Sequence, residues 1–251
     1  TDTLIGIENI IGTASADTIT GDTFGNYLGG GDGADNLSGL VGSDTLDGGA
    51  GAGSLFGGID NDSLSGGAGI DRPYGGTGHD TLMGGAGGDS LFGGVGSDTA
   101  DYSTSGDSVN VNINDTLAES GGDAAGDTLS SIENLIGSDF NDSLTGNNAA
   151  NVISGGAGQD SIIGHMGSDS ISGGTGHDYI DAGPDSISGG TVSPTNEFFD
   201  WTTGGDDGDS INPTLTQDTG TMSVTVSSTP GISGSTYTVE DGAIYSPETL
   251  L

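Results

Sequence analysis

Aspartates that recur at one fixed interval are the residues of this chain best suited to chemistry. From Gly75 to Asp98 the sequence runs G-G-T-G-H-D-T-L-M, then G-G-A-G-G-D-S-L-F, then G-G-V-G-S-D, with a glycine pair, a third glycine, an aspartate and an aliphatic residue in successive nines. Carboxylates related by translation suit a ladder of cations better than a single acid/base dyad. The charge balance agrees: 37 acidic residues face one Lys or Arg, Arg72, for a formal charge of -36. That sign excludes nucleic acid and anionic membranes as partners and leaves cations. Calcium fits best, because it accepts many oxygens in loose geometry, whereas magnesium demands a strict octahedron. Zinc would need a histidine and cysteine cluster, and there is no cysteine.

Enzyme signatures fail one by one. H-E-x-x-H, G-x-S-x-G and a cysteine nucleophile are all missing. Gly-x-Gly-x-x-Gly coincidences are inevitable with 53 glycines, and neither a strand-to-helix context nor a lysine supports a phosphate loop. His79, His165 and His177 each fall within a glycine turn, where exposed loop residues are the simplest reading.

The elements that must position the aspartates are a six-residue glycine-rich turn and a three-residue strand. Repeated glycine pairs exclude helix and allow positive φ or close backbone approach. Triplets such as Asn36-Leu37-Ser38 and Ser90-Leu91-Phe92 put one aliphatic on the inner face. Strands that short are stable only when stacked. With 30% hydrophobic and 5% aromatic residues the chain cannot fill one thick core, and a disordered acidic linker is the competing reading of its composition. Metal decides between them. Two aliphatics per pair of repeats do not offset the entropy of ordering the glycines, and stacked aspartates repel, until a cation lies between them and takes up loop carbonyls.

Ten gapless nonapeptides run from Gly12 to Asp101, 35 residues follow from Tyr102 to Ile136, and five more nonapeptides run from Gly137 to Asp181. A seven-residue unit, Ala182 to Ser188, continues the second array. Asp2 to Thr20 matches Asp127 to Thr145 at a constant offset of 125, and Thr1 is no initiator methionine, so the chain looks like a piece of a longer repetitive protein.

These nonapeptides resemble those of the RTX (haemolysin-type) calcium-binding proteins. The resemblance implies an all-β fold: a right-handed parallel β-roll in two blocks with a β connector, followed by a partial non-repeat β region. The boundaries are 1–101, 102–136, 137–190 and 191–251. Val109 to Ile113 reads as a connector strand, and Met222 to Val226, after Trp201, as the entry to a different β unit. With two nonapeptides per coil, as in that family, residues 18 apart stack. Inner columns are then Ile19, Leu37, Leu55, Pro73, Leu91 and Leu28, Leu46, Leu64, Leu82, Ala100, continued by Leu144, Ile162, Ile180 and Ile153, Ile171, Ile187. Pro73 removes an amide donor, which predicts a defect or bulge at Arg72 to Tyr74.

In the RTX family each calcium lies between stacked turns, holding one aspartate from each together with loop carbonyls. The ligands implied are Asp17, Asp35, Asp44, Asp62, Asp71, Asp80, Asp89, Asp98, Asp142, Asp160, Asp169, Asp178 and Asp185. Carbonyls are implied from Gly30, Asp32 and Gly33; Gly75, Thr77 and Gly78; Gly84, Ala86 and Gly87; Gly155, Ala157 and Gly158; and Gly173, Thr175 and Gly176. Gly53, Asn26 and Asn151 depart from the motif and weaken the sites they border. By the same resemblance the chain is expected to be a non-enzymatic, calcium-dependent folding module of a secreted bacterial protein, exported unfolded through type I secretion. It would be extracellular and associated at most with a surface or with other copies of the module. The alternatives are the accessory region of a secreted protease, lipase or alginate-modifying enzyme, and a segment of an adhesin or surface-layer protein. The absence of cysteine and of any apolar run long enough to span a membrane agrees with export.

Overall fold

In the computed structural model, residues 6–181 other than Ser168 are described, together with the strands Phe198–Phe199, Met222–Val226, Ser235–Glu240 and Ala243–Tyr245. Short parallel strands stack into a β-solenoid, and the one helical turn among the described residues is the 3-10 segment Gly122–Ala124. Each coil advances the chain by two nonapeptides, so Leu37 pairs with Leu55 and Leu46 with Leu64. Strands alternate between two walls. One wall is a nine-stranded sheet that begins at Asn9–Ile11 and ends at Ser170–Thr175. The other is six-stranded from Thr18–Thr20 to Ser90–Gly96, with Thr128–Ser130 as its last member, and a five-stranded sheet starting at Asn110–Asn112 follows it.

The nine-stranded wall passes straight through the connector, since Thr99–Asp101 pairs with Asn134–Ile136 and that strand with Val152–Ala157. The interruption is confined to the other wall, where Asn110–Asn112 supports Ser143–Thr145. Within, the central aliphatic of each triplet is fully buried at Leu28, Leu37, Leu46, Leu55, Leu64, Leu82 and Leu91. These columns fall into two contact clusters, Ile19 to Leu64 and Leu82 to Ile180, parted at the coil that carries Pro73.

The bulge expected there does not occur. Arg72, Pro73 and Tyr74 pair in register with Ser54, Leu55 and Phe56, and Arg72 N–H donates to the Gly53 carbonyl at 3.1 Å. The defect is one-sided: pairing to the following coil begins only at Tyr74 opposite Phe92. An imide that lacks its N–H deprives one neighbour only, because successive residues of a parallel strand bond to opposite sides. Ile187, Trp201 and the shortened unit Ala182 to Ser188 lie outside the described residues. Met222–Val226 pairs antiparallel with Ser235–Glu240, and that strand with Ala243–Tyr245.

Candidate cation-binding turns

Glycine sets the shape of most of the turns at their second position. Gly76 and Gly85 adopt φ of 118° and 89°, and a side chain there would strike the backbone carbonyl of the coil beneath, Gly58 O or Gly67 O. Leu40 and His165 occupy the same position and follow the same left-handed conformation, at 84° and 67°. This conformation leaves the sixth-position aspartate facing into the turn.

The two oxygens of that aspartate have different fates. Oδ1 accepts the amide of the residue one coil below: Asp44 N–H donates to Asp62 at 2.8 Å, Asp62 N–H to Asp80 at 2.8 Å and Asp80 N–H to Asp98 at 2.9 Å. On the other edge Asp17 N–H donates to Asp35 at 2.7 Å, Gly53 N–H to Asp71 at 2.6 Å and Asp71 N–H to Asp89 at 2.8 Å. The second array repeats the pattern, from Asp142 N–H to Asp160 at 2.8 Å and from Asp160 N–H to Asp178 at 2.9 Å. Asp169 takes the Asn151 amide at 3.0 Å. Asp185 lies outside the described residues.

Oδ2, by contrast, is buried without a hydrogen-bond partner in Asp35, Asp44, Asp62, Asp71, Asp80, Asp89, Asp98, Asp160 and Asp178. What these atoms face is a second oxygen. A Cβ built on Gly66 would sit 2.9 Å from Asp71 Oδ2 and 2.6 Å from the Gly84 carbonyl of the next coil. At Gly75 the same point meets Asp80 Oδ2 and, at 2.6 Å, the Gly93 carbonyl. Gly30 and Gly155 likewise face Asp35 and Asp160, and Gly84 and Gly173 face Asp89 and Asp178. The first-position carbonyls of Gly30, Gly155 and Gly173 also cap the cradle one coil below, against Gly12, Gly137 and Gly155. Third-position carbonyls are partly engaged, since Ala86 O accepts Gly69 N–H and Thr175 O accepts Gly158 N–H, both at 2.8 Å. Asp32, Thr77 and Ala157 lie in ladder pairings with Ala50, Ile59 and Thr175. Gly33, Gly78, Gly87, Gly158 and Gly176 form the rim, where the Gly78 and Gly158 carbonyls approach Gly96 and Gly176.

A space enclosed by buried, unpartnered carboxylate oxygen and main-chain carbonyl is the donor set of a hard divalent cation. No cluster of three His, Cys, Asp or Glu occurs among the described residues, so these turns rely on carbonyls beside paired carboxylates. Electrostatics points the same way. Burial, reinforced by the Asp80, Asp44 and Asp60 charges, pushes Asp62 up to about 7. Burial first and neighbouring carboxylates second bring Asp89 and Asp160 to about 7 as well.

Two features lie beyond the nonapeptide count. The opening turns of each array close on themselves: Thr13, Asp22, Ser138 and Asn147 replace the second glycine, and their amides donate to Asp17, Asn26, Asp142 and Asn151 at 2.7, 2.8, 2.6 and 2.8 Å. Asp17 and Asp142 therefore already hold a protein donor on Oδ2. The connector also extends both columns, because Asp127 accepts the Asp89 amide at 2.7 Å and Glu133 the Asp98 amide at 2.9 Å. The 125-residue duplication, which sets Asp127 against Asp2, is the sequence signal that could have flagged Asp127.

The RTX calcium-binding nonapeptide repeat model matches overlapping segments that together cover residues 2–107 and 127–191. No curated protein matches the chain.

Proposed function

The chain belongs to the RTX calcium-binding nonapeptide repeat family, and from that premise we propose that it is a calcium-binding structural module of a secreted bacterial protein that folds when calcium binds after export. The observation that carries this reading is the row of buried Oδ2 atoms without partners. A buried carboxylate is tolerated only when paired, and the chain holds one Lys or Arg against 37 acids. When bound, calcium supplies the missing positive charge. Asp35, Asp62, Asp71, Asp80 and Asp160 hold it from one coil, where a glycine carbonyl of the next coil caps it, and Asp89, Asp98 and Asp178 offer the same unpartnered oxygen. Asp44 belongs to the same set and Asp169 stands at the equivalent place in the second array, while Asp185, outside the described residues, is a candidate from the sequence alone.

A cation that binds only the stacked state makes folding a function of its concentration. Low calcium inside a cell and high calcium outside would then keep the chain unfolded for export and fold it on arrival. Among the described residues no helix is long and apolar enough to cross a membrane. The 125-residue duplication favours a long repetitive parent, such as an adhesin or surface layer, over a compact secreted enzyme with one terminal roll.

Far-ultraviolet circular dichroism tests this directly. Dialysed against chelator, the chain is expected to give a disordered spectrum, and millimolar calcium is expected to restore the β signal. A spectrum identical in both conditions would refute calcium-driven folding.

A further inference from the structure

We propose that the junction between the arrays holds a calcium site in which Asp98, the last turn aspartate of the first array, is completed by the Ser131 carbonyl and Glu133 of the connector, which lie outside the nonapeptide turns. It rests on the calcium reading above and extends it to connector residues. Asp98 is fully buried and its Oδ2 has no hydrogen-bond partner. The turn that carries it opens at Gly93, where an added Cβ would meet Asp98 Oδ2 at 2.7 Å and the carbonyl oxygen of Ser131. One coil lower, Gly75 faces Asp80 Oδ2 and the Gly93 carbonyl in the same way. Ser131 thus stands in for the glycine of the next coil, although it belongs to no glycine turn.

Glu133 completes the parallel. Its Oε2 accepts the Asp98 amide at 2.9 Å, the role that Asp98 Oδ1 plays for the Asp80 amide at 2.9 Å. The chain achieves this with a shortened turn: Ser131 adopts φ of 53°, and the amides of Glu133 and Asn134 converge on the Asp98 carbonyl at 3.0 and 2.9 Å. A serine in the left-handed region is uncommon, and the carbonyl that approaches the cradle is its own. Two carboxylates and a carbonyl therefore gather at the junction. His79 is close, and its Nδ1 accepts the Ser97 amide at 2.9 Å. An oxygen-seeking divalent cation is the ligand this chemistry takes.

The other edge of the junction is closed differently. Asp127 likewise accepts the amide below it, from Asp89 at 2.7 Å, but its Oδ2 receives the Tyr102 hydroxyl at 3.1 Å. One edge is sealed by a buried tyrosine and the other is open to an ion.

Calorimetric calcium titration of the whole chain and of Glu133→Gln tests the site, with circular dichroism in saturating calcium as the folding control. Glutamine keeps an acceptor for the Asp98 amide and removes the charge. The expected isotherm has about one ion fewer, or one ion weakened about tenfold. Unchanged count and affinities overturn the junction site and leave the nonapeptide reading standing, whereas a parent chain that takes up no calcium overturns both. Should Glu133→Gln lack the parent's β signal, the titration is made on Glu133→Asp. Its shorter carboxylate is expected to keep the count and weaken one ion, and affinities all equal to the parent's overturn the proposal.

Discussion

The second oxygen of each turn aspartate governs the residue scale. Oδ1 is bonded to a backbone amide one coil below, so the carboxylate cannot swing out to solvent, and Oδ2 is left buried beside carbonyls. Burial, then the charges of stacked neighbours, raises Asp62, Asp89 and Asp160 to about 7 from the ordinary 3.8. The sign for stability follows. A carboxylate whose folded value lies above its unfolded one stabilises the fold in its protonated form. That contribution is full below about 4 and is lost as pH rises through about 7. In chelator, the chain is therefore expected to show more β signal at pH 5 than at pH 8. With calcium the order reverses, because the cation competes with protons for the same oxygens. A pH-independent spectrum in chelator would mean that these carboxylates are not buried together. The aspartate columns were legible in the sequence because the spacing of nine holds from Gly12 to Asp101 and from Gly137 to Asp181, but the division of labour between Oδ1 and Oδ2 was not, because it depends on the direction in which each side chain leaves the turn.

Among the elements, the turns come in two kinds that the repeat alone does not distinguish. Most take positive φ at the second position and leave the cradle open, whereas those opening each array use Thr13, Asp22, Ser138 and Asn147 to bond across the turn themselves. The motif match treats Asp17 and Asp142 like the other aspartates, yet a protein donor already occupies the oxygen a cation would take. Gly53 is the reverse case: the open geometry is present and the carboxylate is absent. An added Cβ there lies 3.3 Å from Asp71 Oδ1 and 3.5 Å from the Asp35 carbonyl, close but free of backbone collision. Gly53→Asp is expected to tighten calcium binding about tenfold or add capacity on that edge, measured by calorimetry. Equal capacity and affinity would show that this rung is not a site. Pro73 failed as a predictor of a bulge because a single missing amide affects one neighbouring coil, and register along the rest of Arg72–Gly78 is held by the other. Outward aromatics reinforce that register, with Phe56, Tyr74 and Phe92 stacked at ring distances of 5.2 and 4.6 Å.

On the scale of the whole molecule, one wall runs unbroken through both arrays while the other is interrupted between Thr128–Ser130 and Asn110–Asn112. The period of nine and the 18-residue stacking predict the solenoid. The joining of the arrays was hidden, because Ser131 to Glu133 reaches the next rung in fewer residues than a nonapeptide and so falls out of phase. On the calcium reading proposed above, cations between the coils offset the repulsion of carboxylates stacked around a core one aliphatic side chain thick. Anomalous X-ray diffraction from crystals grown in calcium tests this most directly. Calcium peaks are expected along both edges, about 2.3–2.6 Å from the Oδ2 atoms of stacked aspartates and from the glycine carbonyls of the next coil. Well-ordered turns with no metal beside those oxygens would contradict the account.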